Sequence, residues 1–243
     1  MISKSQISLL KKLQLKKYRA KTRLFVAEGQ KVVDQCIDQG LTIHRIYSTD
    51  WRNDVQLELI NTQQMHKISN FKTPSSILGI FEMPPKAEIE TQKIDIVIDR
   101  IQDPGNLGTI IRLCDWFGFR QLICSEDSVD CYNPKVIQAS MGSFCRVNCH
   151  YTNLLDFLSS QNKPVYGTSP KGDSMNDFYF EESFILLFGN ESQGISKNLH
   201  PMISQGISID KFSKHQAVDS LNVASTVGIC LYKIRNRESY FKK

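Results

Sequence analysis

Short apolar runs alternate with amphipathic stretches along most of this chain, as strands and helices do when they take turns. Ile7, Leu10, Leu13 and Leu15 recur at loosely helical spacing among basic residues and predict a short helix with a basic face. Leu24-Phe25-Val26 reads as a strand, Lys31 to Asp38 as a helix ended by Gly40, and Ile43 to Tyr47 as another strand. Asp54 to Ile60 is helix-like, and Ile77 to Phe81 is again a strand. Met83-Pro84-Pro85-Lys86 can continue neither a helix nor an inner strand, and polar residues run on to Lys93. The pattern therefore predicts a small α/β domain over 1–84, a linker over 85–94 and a larger domain over 95–243.

In that larger part the strand candidates are Asp95 to Asp99, Gln121 to Cys124, Phe144 to Val147, Pro164 to Tyr166, Phe184 to Phe188 and Ile207 to Ile209. Helices are expected at Gly108 to Phe117, Asn133 to Ala139, Asn153 to Ser159 and Ser220 to Arg237. This βα alternation argues for an α/β fold with a mostly parallel sheet covered on both faces. Ligands of such sheets bind beyond the carboxyl ends of the strands.

Composition adds constraints. A chain of 243 residues, 41% hydrophobic and 23% charged, can bury one large core or two small ones. The formal net charge of +5 is a mild bias towards polyanions. Its placement says more: Lys4, Lys11, Lys12, Lys16, Lys17, Arg19, Lys21 and Arg23 all precede the first acidic residue, Glu28. A solvated helix that aids solubility would show the same run. The start lacks the apolar core of a signal peptide, and runs such as Phe184 to Phe188 fall far short of the ~20 residues that span a bilayer. A cytoplasmic protein with no membrane partner is expected. Seven scattered cysteines with no Cys-x-x-Cys pair exclude a disulfide scaffold and read as buried free thiols. Cys145, Cys149 and His150 lack the paired short loops of a structural zinc site, so no metal is expected.

Three segments carry candidate chemistry. Asp99 to Gly108 contains Pro104-Gly105 and Asn106-x-Gly108, which predict sharp turns, with Arg112 about one and a half turns into the following helix. Gly189-Asn190-Glu191-Ser192-Gln193-Gly194 follows the most apolar strand; its two glycines permit close backbone approach to a ligand beside a carboxylate. Ser220-Leu221-Asn222-Val223-Ala224-Ser225 opens the last helix after a polar loop from Asp210 to Asp219. Read singly, these are a turn with a surface arginine, an acidic turn and a helix N-cap at Ser220. The dinucleotide and Walker A glycine patterns and the Gly-x-Ser-x-Gly elbow are missing, which argues against a nucleotide-driven enzyme or an α/β hydrolase.

Together the three segments resemble the signature motifs of the SpoU family of ribose methyltransferases, within the SPOUT superfamily. Asn106, Gly108, Arg112, Phe117 and Gly118 meet the first motif, Gly189, Glu191 and Gly194 the second, and Ser220 to Val223 the third. The resemblance covers 95–243. It implies a trefoil-knot domain, an exception to the rule against threaded chains, working as a homodimer with S-adenosylmethionine. It implies that Gly189, Ile209 and Leu221 line the cofactor pocket, with Thr168, Asn190 and Ala224 contributing. It makes Asn106, Arg112, Glu191, Ser220 and Asn222 the catalytic set. Asp210 stands where the family often has proline, and the 210–219 loop is long, with His215 read as a surface residue. Phe25-Val26-Ala27-Glu28-Gly29 and the helix after it are similar to the family's L30e-like substrate-binding domain. That implies RNA, usually ribosomal, as the partner, with Lys11, Lys12, Lys16, Lys17, Arg19 and Arg23 as its contacts.

The implied reaction makes a ribose 2′-hydroxyl attack a methyl group on a sulfonium. Arginine's pKa above 12 makes Arg112 a poor base, so its expected role is to stabilise a developing alkoxide or a phosphate-assisted deprotonation. Asn106, Ser220 and Asn222 would supply hydrogen bonds, and Glu191 would orient Arg112 or the substrate. A transfer-RNA substrate and a non-catalytic dimeric RNA-binding or ribosome-assembly factor are the alternatives. Retention of Asn106, Arg112, Glu191 and Asn222 counts against the latter.

Overall fold

The computed structural model describes residues 2–53, 56–213 and 220–240, the side chains of 237–240 excepted. His215 and most of the 210–219 loop lie outside the described residues. The chain forms two compact units, one holding residues up to Lys86 together with Asp130–Arg146, the other Ala87–Val129 and the chain from Val147 on.

The first unit opens with two helices where one is predicted, α1 (Lys4–Lys12) and α2 (Lys16–Thr22). Ser3 caps α1: its Oγ accepts from Gln6 N while Gln6 Oε1 accepts from Ser3 N. Leu10 and Leu13 are both fully buried, and the helix ends where Leu13 enters the core. There follow β1 (Leu24–Glu28), α3 (Gln30–Asp38), β2 (Ile43–Ser48), β3 (Leu57–Leu59), α4 (Thr62–Ile68) and β4 (Ile77–Glu82). The sheet order is β1-β4-β2-β3, with β4 antiparallel to β1 and β2, and β3 parallel to β2. The helix expected over Asp54 to Ile60 is corrected from Gln56 on, Asp54 and Val55 lying outside the described residues. Leu57–Leu59 pairs along Ile46–Ser48 as a strand. The helix comes later, under a capping box formed by Asn61 and Gln64. A few apolar residues cannot distinguish the two periods, and the open edge of β2 decides.

The second unit begins with β5 (Ile94–Ile98), α5 (Pro104–Trp116) and β6 (Gln121–Ser125). The chain then contributes α6 (Pro134–Ser140) to the first unit. The strand predicted at Phe144 to Val147 is a 3-10 turn over Ser143–Cys145 instead. Gly142, at φ 94, turns the chain there, and Phe144 packs edge-on against Phe25 at 5.6 Å between ring centres. The second unit resumes with β7 (Asn148–Thr152), α7 (Leu154–Ser159), β8 (Val165–Ser174), β9 (Phe184–Phe188), β10 (Gln205–Ser208) and α8 (Val223–Tyr240).

Its six strands run in the order β10-β8-β9-β5-β6-β7, every adjacent pair parallel. From β5 the chain moves outward through β6 to β7, then returns to build β8, β9 and β10 on the other side. The direction of winding thus reverses between β5 and β9, where Ile94–Ile98 pairs with Phe184–Phe188. All ten of those residues except Asp95 are apolar and all are buried, as central parallel strands require. The Asp95 carboxylate accepts from Lys163 Nζ at 2.6 Å and from Gln121 Nε2 at 3.0 Å. α5 packs against α8, with Gly228 beside Leu113.

Candidate active site at the strand switch point

The reversal between β5 and β9 leaves their carboxyl ends side by side, the position at which open α/β sheets bind ligands. Each end leads into one of the three motif segments.

Residues 104–108 are helix where turns are predicted. Asp103 is the N-cap, accepting from Asn106 N at 2.8 Å, and Pro104 occupies the first turn, where its missing N–H costs nothing. Asn106 therefore sits at the mouth of a 13-residue helix. Beyond β9 the chain closes on itself, Asn190 N donating to Gly194 O at 3.0 Å and Gly194 N to Asn190 O at 2.9 Å. A Cβ on Gly189 would lie 2.3 Å from Gly194 C and Ile195 N, so only glycine permits this closure. At the start of α8, Asn222 rather than Ser220 is the cap: its Oδ1 accepts from Ala224 N and Ser225 N.

That cap dictates the direction of everything joined to it. With Oδ1 committed as acceptor, Asn222 presents Nδ2, which donates to Asn106 Oδ1 at 2.9 Å. Asn106 must then turn its own Nδ2 outward, and this donates to Glu191 Oε1 at 2.7 Å. One residue from each motif, 85 and 116 positions apart in the chain, thus forms a single directed line. Asn106 lies in the first turn of α5 and Asn222 caps α8, so two helix N-termini supply the donor side of this line.

The remaining candidates are placed differently. Arg112 is exposed, and no described residue pairs with it. It lies about 9 Å along α5 and about 240° round from Asn106, deeper in the helix than predicted and off the line of three. Ser220 is exposed and borders residues outside the described set. Thr168 donates to Leu187 O at 3.3 Å. Thr168, Gly189 and Ile209 follow paired segments of β8, β9 and β10, three strands that are neighbours in the sheet. Ile209 is half-buried, Leu221 is 51% exposed, and Ala224 is buried in the first turn of α8.

Sequence reasoning missed the supports of the Glu191 loop. Asn190 donates from Nδ2 to Arg100 O at 2.8 Å, and Arg100 donates to Gln193 Oε1 at 2.8 Å. Arg100 holds a left-handed backbone at φ 55, a conformation that strains a residue with a Cβ. Asp99, 2% exposed, accepts from Ser196 N and Oγ at 2.7 and 2.6 Å. A lone carboxylate closing an apolar strand was the available signal.

In the first unit, Lys11, Lys12, Lys16, Lys17 and Arg23 are exposed. Arg19 is corrected: it is 2% exposed and serves as an internal staple. It donates to Asp130 Oδ2 at 2.6 and 3.0 Å and to the carbonyls of Leu13 and Gln14 at 2.9 Å each. Nothing in its spacing separates it from the surface cations around it. All seven cysteines are unbridged, and burial pushes the Cys114 and Cys230 thiols up to about 12. Among the described residues no group of three or more His, Cys, Asp or Glu is placed to hold a metal ion, and no helix is long and apolar enough to cross a membrane.

A parallel sheet with these three motif segments joined at its switch point defines a methyltransferase of the SPOUT class. The chain belongs to the SpoU rRNA methylase family, whose model matches residues 93–232. Residues 4–79 match the MRM3-like substrate binding domain. The chain is 28% identical over 236 residues to the 23S rRNA (guanosine(2553)-2′-O)-methyltransferase RlmP of Bacillus subtilis, covering 93% of this chain and 94% of the relative. A TrmH-family protein structure from Porphyromonas gingivalis superposes with a TM-score of 0.86 at 31% identity, over 98% of this chain and 99% of that one. An AdoMet-bound rRNA methyltransferase from Sinorhizobium meliloti does so at 0.83 and 28%, over 98% and 97%.

Proposed function

We propose that this protein transfers the methyl group of S-adenosylmethionine to a ribose 2′-hydroxyl of ribosomal RNA. The line Asn222–Asn106–Glu191 carries the reading, because it joins one polar residue from each motif at the sheet's switch point. Ribosomal rather than transfer RNA is favoured by the substrate named for the Bacillus subtilis relative, which this chain matches over nearly its whole length.

The residues present suit the cofactor. Thr168 keeps its hydroxyl oxygen as an acceptor and Gly189 its backbone polar groups, while the half-buried Ile209 and the exposed Leu221 offer apolar surface fit for a purine and its ribose. Bound S-adenosylmethionine supplies an electrophilic methyl group on a cationic sulfur. Asn106 pins one oxygen of Glu191, leaving Oε2 open to orient the substrate. Arg112, permanently charged and with no described partner, stabilises the alkoxide as the hydroxyl proton leaves towards a neighbouring phosphate. Positioning supplies much of the rate. Ser220, beside Asn222, adds a hydroxyl at the same edge.

The two family matches, over residues 4–79 and 93–232, support a division of labour in which the N-terminal part holds the RNA and the C-terminal part performs the transfer. The C-terminal segment carrying Ser220 to Val223 is threaded as a trefoil knot, and the enzyme acts as a cytoplasmic homodimer. An exposed stripe on α8 with Ile229 and Tyr232, and Trp116 at 83% exposure on α5, supply apolar surface for the second subunit. Tritiated S-adenosylmethionine and protein-free ribosomal RNA test the reading. Label should enter ribose, and Arg112→Ala should abolish transfer while cofactor affinity by calorimetry stays nearly intact. Wild-type turnover in that variant would refute the role of Arg112; failure of the dimeric protein to bind the cofactor would refute the whole.

A further inference from the structure

Five exposed lysines, Lys4, Lys11 and Lys12 on α1 with Lys16 and Lys17 on α2, crowd one corner of the first unit. Between the helices runs a groove of about 460 Å³, lined by Lys4, Ile7, Lys11, Lys12, Leu15 and Tyr18 among others, with no carboxylate in its walls. Leu15 is 51% exposed, an apolar side chain left on a cationic surface. Lys12 and Lys17 hold their Nζ atoms 5.8 and 5.1 Å from the centre of the Tyr18 ring. The groove is also held in shape. Arg19 ties the turn between the helices, at Leu13 and Gln14, to Asp130, so the lysines are arranged by folding rather than by a ligand.

We propose that this groove seats an unpaired nucleotide of single-stranded RNA. Its base lies against Tyr18 and Leu15, and its flanking phosphates lie on the surrounding lysines. The inference rests on RNA being the substrate. A duplex would satisfy the lysines, but its bases stack on one another and offer no face to Tyr18. An unpaired base brings the flat surface that an aromatic ring among cations takes up, whatever its sequence. An acidic peptide would use the charges and leave the ring idle. A bilayer surface would call for a longer apolar face than Ile7 and Leu15 provide.

The two kinds of interaction leave separate signatures in a salt titration of the full-length protein. Fluorescence anisotropy would follow a short labelled single-stranded oligoribonucleotide and the same strand in duplex. Tyr18→Ala should raise the single-strand Kd roughly five- to 150-fold, the range of one base–aromatic stack, and leave the log–log salt slope unchanged. Tyr18→Phe should restore binding, because it keeps the ring. Replacing Lys11, Lys12, Lys16 and Lys17 with alanine should instead flatten the slope, by about 0.7 for each phosphate no longer neutralised. Duplex affinity should not respond to Tyr18→Ala. Leu15→Ser, at a side chain already half in water, repeats the test if Tyr18→Ala proves unstable in urea. Unchanged single-strand affinity in the stable variants would overturn the proposal, as would equal losses on duplex. So would tighter binding of the wild type to phosphatidylserine vesicles than to RNA. Methyl transfer to ribosomal RNA, assayed alongside, separates the two readings: transfer with a silent Tyr18→Ala sinks the groove alone.

Discussion

Replacing Arg19 with alanine separates a structural cation from the surface lysines around it. The side chain is 2% exposed and its partner Asp130 is 13% exposed. Its guanidinium spends two donors on Asp130 Oδ2, at 2.6 and 3.0 Å, and one nitrogen on the carbonyls of Leu13 and Gln14, both at 2.9 Å. Truncation leaves a largely buried carboxylate without its cation and two carbonyls without their donor. Removing one member of a buried pair typically costs about 3–5 kcal/mol. The partial exposure of Asp130 lets water soften the loss, which points to the lower end, about 3 kcal/mol. With a urea m-value of about 2 kcal/mol/M, the midpoint should fall by about 1.5 M in far-UV circular dichroism. Arg19→Lys should recover little, because an ammonium cannot span the carboxylate and both carbonyls at once. Asp130→Ala should cost a similar amount, and the double variant should cost much less than the sum. A shift below about 0.5 kcal/mol, the level of an ordinary surface substitution, with RNA binding weakened instead, would return Arg19 to the RNA-contacting set.

Three further outcomes follow from the geometry. Gly189→Ala should leave a folded protein with roughly five- to 150-fold weaker cofactor affinity by calorimetry, since about 1–3 kcal/mol of overpacking would force the Asn190–Gly194 closure open; wild-type affinity would contradict it. Asn106→Ala should lower single-turnover rate on the order of 100-fold with cofactor affinity little changed, because both Glu191 and Asn222 lose their partner. A rate within a few-fold of wild type would show the line to be dispensable. Burial pushes the pKa of His150 below its ordinary 6.5, the nearby Glu90 offsetting only part of this, and its Nε2 is buried with no hydrogen-bond partner among the described residues. The unfolded chain then binds the proton more readily than the folded one, so stability is full above about 6.5 and falls as pH drops towards the lowered folded value. His150→Gln should flatten urea midpoints measured across that acid window; an unchanged slope would remove His150 as its source.

Much of the architecture was legible because its signals are local. Phe184 to Phe188 and Ile94 to Ile98 are apolar almost throughout, which only a doubly covered strand tolerates. The three motif segments were legible as patterns, yet their local form was not. Pro104-Gly105 reads as a turn, and it is the Asp103 cap that converts it into the first turn of a helix. Leu57–Leu59 needed β2 as a partner to become a strand. The insertion of Asp130–Arg146 into the first unit left no local mark, because it is fixed by distant partners such as Phe144 on Phe25 and Asp130 on Arg19. Arg100 escaped notice for the same reason: its value lies in a left-handed backbone and a reach to Gln193, neither visible in its neighbours.

Mapping 2′-O-methyl groups tests most directly whether this protein methylates a ribose in ribosomal RNA through the proposed set Asn106, Arg112, Glu191 and Asn222. Ribosomal RNA from cells with and without the protein would be partially hydrolysed in alkali, which spares the bond beside a methylated ribose. A position protected in the first sample should become cleavable in the second. Re-expression of the wild-type chain should restore the protection, and Arg112→Ala should not. Identical cleavage profiles in the presence and absence of the protein, or full restoration by Arg112→Ala, would contradict the account.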